Sequence, residues 1–394
     1  MNSYVGSVIL YIAIFTSAPF VLGNSQKKGS NVGLLSSIHG KTCKLNIAHL
    51  FAILIPAFFA GIRYGIGTDY NLTYVKCFNT CRTGQYAGNE YEYLFFGLNY
   101  LVSLMGGNVN TVLFIAAIIT LAMYTKGLLY YTESVSAGFS YLFFLFLFYN
   151  NLLNNTRQWV ALSIVFYGIH YCFNKEFKKY LVSIIIAMGF HISAACALPL
   201  YFVISKIGKY KSDLKAGTSI ISNIRNIAII IILFFFVFLS QYAVLLLERV
   251  GLGYYIPYLT RIKYIGYLNW VAFARYFPWI LAILYLIHRN KTDYKVHIIG
   301  VFSIIGVAIE IIAMHMQTGG FEQIHRMSTY FTYFLPLTGG ALYKISRGKK
   351  NQFRRDLSTV MMIGTFFVVI YGWINDIVIN NANATLPYIS LFTR

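Results

Sequence analysis

The sequence predicts an all-α polytopic integral membrane protein. Three observations predict it. Of 394 residues, 58% are hydrophobic and only 11% charged, the mean hydropathy is +0.61, and apolar runs long enough to cross a bilayer alternate with short segments that carry the lysines. The formal net charge of +20 follows from those lysine-bearing segments, the pattern of cytoplasmic loops. The lipid bilayer is therefore an expected partner and nucleic acid is not.

The first apolar run, 5–22, has no basic residue before it and lacks the pattern of a cleaved signal peptide, so it is read as a retained first span. Lys27, Lys28, Lys41 and Lys44 place the next segment in the cytoplasm and the N-terminus outside. Run 45–62 returns to the outer face and delivers Arg63 into a loop that reaches about Glu92. Segment 93–105 is apolar but short of the ~17 to 25 residues needed to span, and is read as a short interfacial helix. Runs 110–125 and 135–149 form a helical pair ending in Asn150, Asn151, Asn154 and Asn155. That polar cluster opens onto Arg157 and Gln158, after which 159–173 descends to Lys175, Lys178 and Lys179.

Run 181–204 has lysines at both ends, and a simple span would leave one group on the wrong side. Two half-helices would each reach only ~15 to 18 Å. The expectation is a re-entrant hairpin with Gly189, Phe190 and His191 near its tip, where backbone must be buried in protein or face a wet cavity. In the competing topology both 93–105 and 181–204 cross fully, which moves Arg157 to the cytoplasm; the lysine placement favours the hairpin. Run 228–247 leads to a tyrosine-rich outer loop, 248–270, with Arg249, Arg261 and Lys263. Run 271–287 re-enters with Arg275 one turn below its start and Pro278 set to kink it. Run 298–316 carries Glu310, 317–325 is a short outer loop with glycines, and 327–345 and 359–378 complete about ten crossings with both ends outside. Residues 1–394 are thus read as a single transmembrane domain whose outer loops 63–92, 248–270 and 317–325 contribute the site.

In this topology only Lys76 and Lys263 among the lysines lie outside, whereas Arg63, Arg82, Arg157, Arg249, Arg261, Arg275, Arg326 and Arg394 lie at or near the outer face. The positive-inside rule treats the two residue types alike, so the split asks for another cause. Arginine's fixed charge and forked donors suit a bidentate grip on phosphate. Arg157 and Arg326 are expected at helix N-termini, where N–H groups and guanidinium can face one anion. Arg275 lies deeper and needs a partner, for which Glu310 and a phosphate both qualify; Glu310 serves equally as a structural salt-bridge residue. The cysteines show no zinc spacing, Cys77 and Cys81 fit small-residue packing, and no carboxylate cage is present. Neither metal nor cofactor is expected.

One stretch, Arg63-Tyr64-Gly65-Ile66-Gly67-Thr68-Asp69-Tyr70, ends an apolar helix in an arginine, two glycines and a Thr/Asp pair. It reads as a shaped loop in which Asp69 caps a helix running through Tyr74. Its arginine is an interfacial anchor or a ligand-binding group. Together with Asn155-Thr156-Arg157-Gln158, Phe190-His191-Ile192-Ser193, Arg326 with Tyr330-Phe331, and Leu386-Pro387-Tyr388, in that order, the chain resembles the EpsG-like group of Wzy-type polysaccharide polymerases.

The resemblance covers most of the chain. It implies an enzyme of the bacterial cytoplasmic membrane that joins undecaprenyl-diphosphate-linked oligosaccharide repeat units at the periplasmic face. The growing chain passes from its lipid carrier to the non-reducing end of the incoming unit, for O-antigen, capsule or exopolysaccharide. Donor and acceptor glycolipids are the implied partners, with room for a chain-length regulator. Charge on the departing diphosphate would be held by Arg157 and Arg326 with Arg63 or Arg275, without metal. The acceptor hydroxyl's proton would go to His191, or in second place to Asp69. Tyr70, Gln158 and Tyr330 complete the expected binding set. The alternative is a flippase or exporter of the same glycolipid, which would show two similar halves and even spans. A third class, an acyltransferase, would need a cytosolic acyl donor.

Overall fold

Peptide groups inside hydrocarbon must bond within their own segment, and the apolar runs of this chain meet that demand as helices. The computed structural model describes residues 3–27, 37–38, 41–42, 46–83, 91–207, 270–289, 293–314, 318–348 and 351–393. The expected span 228–247, the loop 248–270 up to Trp270 with Arg249, Arg261 and Lys263, and Arg394 lie outside these residues.

Helix α1 spans Ser3–Lys27 and is followed by a small antiparallel pair, β1 (Ser37–Ile38) and β2 (Lys41–Thr42). Helix α2 is Ile47–Ile62. A π-helical turn, Tyr70–Val75, runs into α3 (Lys76–Arg82), and then come α4 (Tyr93–Leu104), α5 (Val109–Leu129), α6 (Ala137–Asn154) and α7 (Thr156–Phe173). Helix α8 (Phe177–Phe190) breaks at His191 into a 3-10 turn, Ile192–Ala197, and α9 (Leu200–Ile207). After the interval come α10 (Trp270–Arg289), α11 (Tyr294–Ala313), α12 (Thr318–Thr332), α13 (Leu335–Ser346) and α14 (Gln352–Trp373), the last continued by a π turn, Ile374–Ile379. Among the described residues, Ser3–Asn24, Val109–Leu129, Lys295–Ala313 and Gln352–Ile379 are long and apolar enough to cross a membrane, and shorter apolar helices accompany them. On α14 the exposed side chains Val360, Ile363, Phe367 and Tyr371 recur every three or four residues, a stripe suited to lipid. Apart from the small β pair, the regular structure among the described residues is helical, that of a multi-pass membrane protein.

The chain divides into two compact units. The first comprises Met1–Ser205 and Pro336–Arg394, the second Lys206–Leu335. In the first, α1 packs on α2 and α6, α2 on α5, α5 on α7, and α7 on α8. Its centre is aromatic: Tyr124 stacks on Phe144 at 3.8 Å and on Phe166 at 5.2 Å. In the second unit α11 packs against both α10 and α12, with Phe302 of α11 against Phe331 and Phe334.

Segment 181–204 is a hairpin. Phe177, at the start of α8, has its ring 4.9 Å from that of Tyr201, and the Tyr180 hydroxyl donates to the Ala197 carbonyl at 2.7 Å. A 14-residue helix is ~21 Å long, so residues beyond its far end can reach its start only if the chain doubles back at His191. Segment 93–105 is the short helix expected. Helix α4 buries Phe95, Asn99 and Val102 and exposes Tyr93, Tyr100, Leu101 and Leu104.

Two boundaries differ from expectation. The single run 327–345 is two helices, because Pro336 has no N–H to continue a helix and its ring would collide with the carbonyl of Thr332, where α12 ends. The loop expected over 317–325 is instead largely the first half of α12, whose Gly319 and Gly320 lie in the first turn, where glycine costs little. Arg326 therefore sits in the middle of a helix, and the dipole argument made for it at an N-terminus no longer applies.

Arg63 is the fixed point of the first unit. Its side chain is fully buried. One terminal nitrogen donates to the Ala60 carbonyl in the last turn of α2, and the other donates to the Leu153 carbonyl at 2.9 Å and to Thr156 Oγ1 at 3.2 Å. These carbonyls belong to helix ends that have run out of intrahelical donors. The backbone of Arg63 is held as firmly. Its carbonyl accepts from Asn110 Nδ2 at 2.5 Å, and it pairs in an antiparallel bridge with Ser390 from the C-terminal tail. Arg63→Ala is expected to lower stability by about 3 kcal/mol or more, since several buried oxygens lose a charged donor. Thermal unfolding of the purified variant in detergent checks this, and an unchanged midpoint would refute the clamp.

Candidate functional site

Where α6 ends, Asn155 turns the chain and Arg157 becomes the second residue of α7, as the sequence placed it. Its guanidinium donates to Glu92 Oε2 at 2.5 Å and lies 5.8 Å from the ring centres of both Tyr91 and Phe95. One turn of chain at the start of α4 thus supplies the counter-charge and both rings. The side chain keeps 21% exposure and feels the charge of Asp69 as well as that of Glu92. A partly exposed guanidinium at a helix N-terminus is a cationic seat with two sources of positive potential.

The loop before it is fixed by asparagines. Asn154 Oδ1 accepts from Thr68 Oγ1 at 2.9 Å and from the Asp69 N–H at 3.1 Å. Asp69 was expected to cap a helix. It occupies the N-cap position of the π turn, but its side chain makes no capping bond; its backbone is held by Asn154 instead. Gly67 has φ +92° and its N–H donates to the Ala384 carbonyl at 3.0 Å. A Cβ there would stand 3.1 Å from the Leu153 carbonyl, so both torsion and space call for glycine. Tyr74 is buried, donates to the Asn154 carbonyl at 2.5 Å and accepts the Thr156 N–H at 2.7 Å. Burial pushes its phenol up to about 12, so it stays a donor.

The tail closes the same region. Asn383 Oδ1 accepts from Asn154 Nδ2 while its own Nδ2 donates to Asn151 Oδ1, and Asn150 Nδ2 donates to Thr385 Oγ1 at 2.9 Å. The Trp373 indole donates to Asn150 Oδ1 at 3.0 Å. Of this set the sequence showed Asn150, Asn151, Asn154 and Asn155 as one polar cluster. Glu92, Asn383 and Thr385 carried no local signal, because their roles depend on contacts between distant segments.

The hairpin tip comes to this end of the unit. Gly168 of α7 faces Tyr180 and Ser183 of α8, and extending that antiparallel register puts His191 level with the first turn of α7. Gly189 packs on Leu94 in the first turn of α4, beside Glu92. His191 Nδ1 accepts the Ser193 N–H at 3.4 Å and lies 2.6 Å from Ser193 Oγ.

The expected binding residues fall into three groups. Arg63 and Tyr70 are buried and committed to structure, Tyr70 donating to Asn110 Oδ1 at 2.9 Å. Arg157, Gln158, Asp69 and the His191 tip share one end of the first unit, Gln158 being 4% exposed. Arg275, Arg326 and Tyr330 belong to the second unit, where Tyr330 is buried. There Glu310 is 2% exposed, and its two oxygens lie 2.8 and 2.9 Å from His325 Nδ1 while Ser328 Oγ donates to one of them. The hydrogen-bond partners of Glu310 are thus His325 and Ser328 rather than the Arg275 expected as a candidate; His325 feels the charge of both Arg275 and Arg326.

No curated protein and no solved structure matches the chain. Residues 46–390 match the EpsG family, a span that takes in Arg63, Arg157, His191, Arg326 and the tail. The chain belongs to the EpsG family and is a membrane protein of exopolysaccharide biosynthesis.

Proposed function

We propose that the protein polymerises lipid-diphosphate-linked oligosaccharide repeat units, transferring the growing chain from its undecaprenyl diphosphate to a hydroxyl of the incoming unit. The observation that carries the reading is Arg157: a guanidinium at the N-terminus of α7, kept partly exposed and held in place by Glu92 and two rings.

Breaking the bond between sugar C1 and the phosphate oxygen leaves negative charge on diphosphate. A preorganised cation stabilises that charge more in the transition state than in the bound substrate, which is what lowers a barrier. Before substrate arrives, Glu92 keeps the guanidinium aimed and partly neutralised. An incoming diphosphate, with more charge and more acceptor oxygens than one carboxylate, competes for the same donors. His191 is assigned the proton of the attacking hydroxyl, with Asp69 in second place. Asp69 and Gln158 orient Arg157 and the bound sugar, and Arg63 and Tyr70 keep the loop in register without touching substrate. Arg275, Arg326 and Tyr330 are assigned to binding the anionic glycolipid in the second unit.

Arg157→Ala should leave protein level and membrane insertion unchanged while cutting chain elongation by roughly 10²-fold or more, the scale of one lost transition-state donor. Arg157→Lys should recover little of it, because a point charge cannot reproduce the fork. Elongation by Arg157→Ala at the wild-type rate would remove this assignment.

Purified protein given only lipid-linked repeat units is expected to yield longer glycans on the same lipid. Substrate carried across a vesicle membrane without elongation would point to an exporter. A strict requirement for an acyl donor would point to an acyltransferase.

A further inference from the structure

Arg157 uses one of its donors and leaves the rest of the fork open. One terminal nitrogen gives a single N–H to Glu92 Oε2 at 2.5 Å, and no other hydrogen bond joins that guanidinium to the described residues. Nor is Glu92 committed elsewhere. It occupies the N-cap position of α4, yet its side chain makes no capping bond. Both side chains keep some exposure, 21% for Arg157 and 18% for Glu92. This one-point contact between two partly exposed groups contrasts with the fully buried Arg63, whose terminal nitrogens bond to Ala60, Leu153 and Thr156.

The rings of Tyr91 and Phe95, 5.8 Å from the guanidinium, hold it by a means that does not require the carboxylate. Glu92 can therefore let go while Arg157 keeps its place at the start of α7. A group that only aimed the arginine would need no charge of its own, since an amide oxygen accepts the same bond. What a carboxylate adds is competition. Tethered within reach, it contests those N–H groups with any anion that arrives, at an effective concentration of about millimolar or above.

That competition matters most after the chemistry. In the glycosylated carrier each phosphate is a diester with one negative charge. Once C1 has passed to the acceptor oxygen, the outer phosphate is a monoester whose second ionisation lies at ~6, so the product carries more charge than the substrate did. A guanidinium that stabilises the developing charge therefore holds the product more tightly than the substrate. Each addition leaves a lipid diphosphate on Arg157 that has to go before the next.

We propose that Glu92 is the release group of this site, its carboxylate taking the Arg157 N–H groups back from the departing lipid diphosphate and resetting the seat for the next donor. This rests on the polymerase reading above. No covalent bond changes in the step: N–H donors pass from phosphate oxygens to Glu92 Oε2, and the diphosphate leaves with its charge. Glu92 acts through Arg157 and is a positioning residue.

The test compares full-length wild type with Glu92→Gln, which keeps an acceptor for Arg157 and removes the charge. Calorimetric titration in detergent with inorganic diphosphate needs no turnover. Glu92→Gln is expected to bind it about 5-fold or more tightly than wild type does, because a partly exposed ion pair no longer competes and a like charge is gone. Adding Arg157→Ala to both proteins should abolish that difference. With lipid-linked repeat units, the first turnover of Glu92→Gln should match or exceed that of wild type, later turnovers should be slower, and added undecaprenyl diphosphate should inhibit at lower concentration. A purely structural Glu92 requires the opposite sign, weaker diphosphate binding and a slower first turnover in Glu92→Gln. That result, or equal affinity in the two proteins, would overturn the release role and leave the polymerase intact. Failure of the wild type to elongate would instead remove the polymerase reading on which the release role rests.

Discussion

The first unit depends on a single buried guanidinium. Two helices, α2 and α6, end at the same place, and each leaves carbonyls with no intrahelical donor. In a membrane protein such ends cannot simply be hydrated, so something must donate to both. Arg63 does so with a planar fork that reaches the Ala60 carbonyl on one side and Leu153 and Thr156 on the other. Lysine, a point charge on a flexible stem, could not span those acceptors in fixed directions. The C-terminal tail then completes the junction: the Tyr64 N–H donates to the Ile389 carbonyl and the Leu391 N–H to the Ile62 carbonyl, each at 2.9 Å. Position 157 is therefore defined by position 63, more than ninety residues earlier, and by residues close to the far end of the chain.

Arg63 and Arg157 differ in a way that burial makes plain. A charge at 0% exposure must have all its bonding arranged in advance, and a ligand could reach Arg63 only by dismantling the ends of α2 and α6. Arg157 keeps 21% exposure and is paired with the carboxylate of Glu92, itself partly exposed. Sequence position alone does not separate the two, since both follow or begin an apolar helix beside polar residues. What separates them is that Asn110 and the tail close over one and not the other.

The same distinction explains what was legible in the sequence. Helices long enough to cross announced themselves by composition, and the hairpin at 181–204 could be read from lysines flanking both ends, because topology and length leave local marks. The break at Thr332 was also written locally, in Pro336, but the continuous hydrophobicity around it masked that signal. Contacts made across the fold left no such mark. Nothing near Asn383 indicates that it meets Asn151 and Asn154, and nothing near Glu92 indicates that it faces Arg157. The Asn150 to Asn155 cluster was visible as polarity without purpose; its function as the mount for Thr68 and Asp69 appears only once α6 is packed.

Two histidines in this protein are fixed through Nδ1, by partners of different kinds. At the hairpin tip His191 Nδ1 meets the Ser193 N–H at 3.4 Å and lies 2.6 Å from Ser193 Oγ. In the second unit the two oxygens of Glu310 lie 2.8 and 2.9 Å from His325 Nδ1. The motif Phe190-His191-Ile192-Ser193 draws attention to the first histidine because Ser193 is its neighbour in sequence. The partner of the second, Glu310, is fifteen residues away on another helix, so nothing beside His325 in sequence announces it.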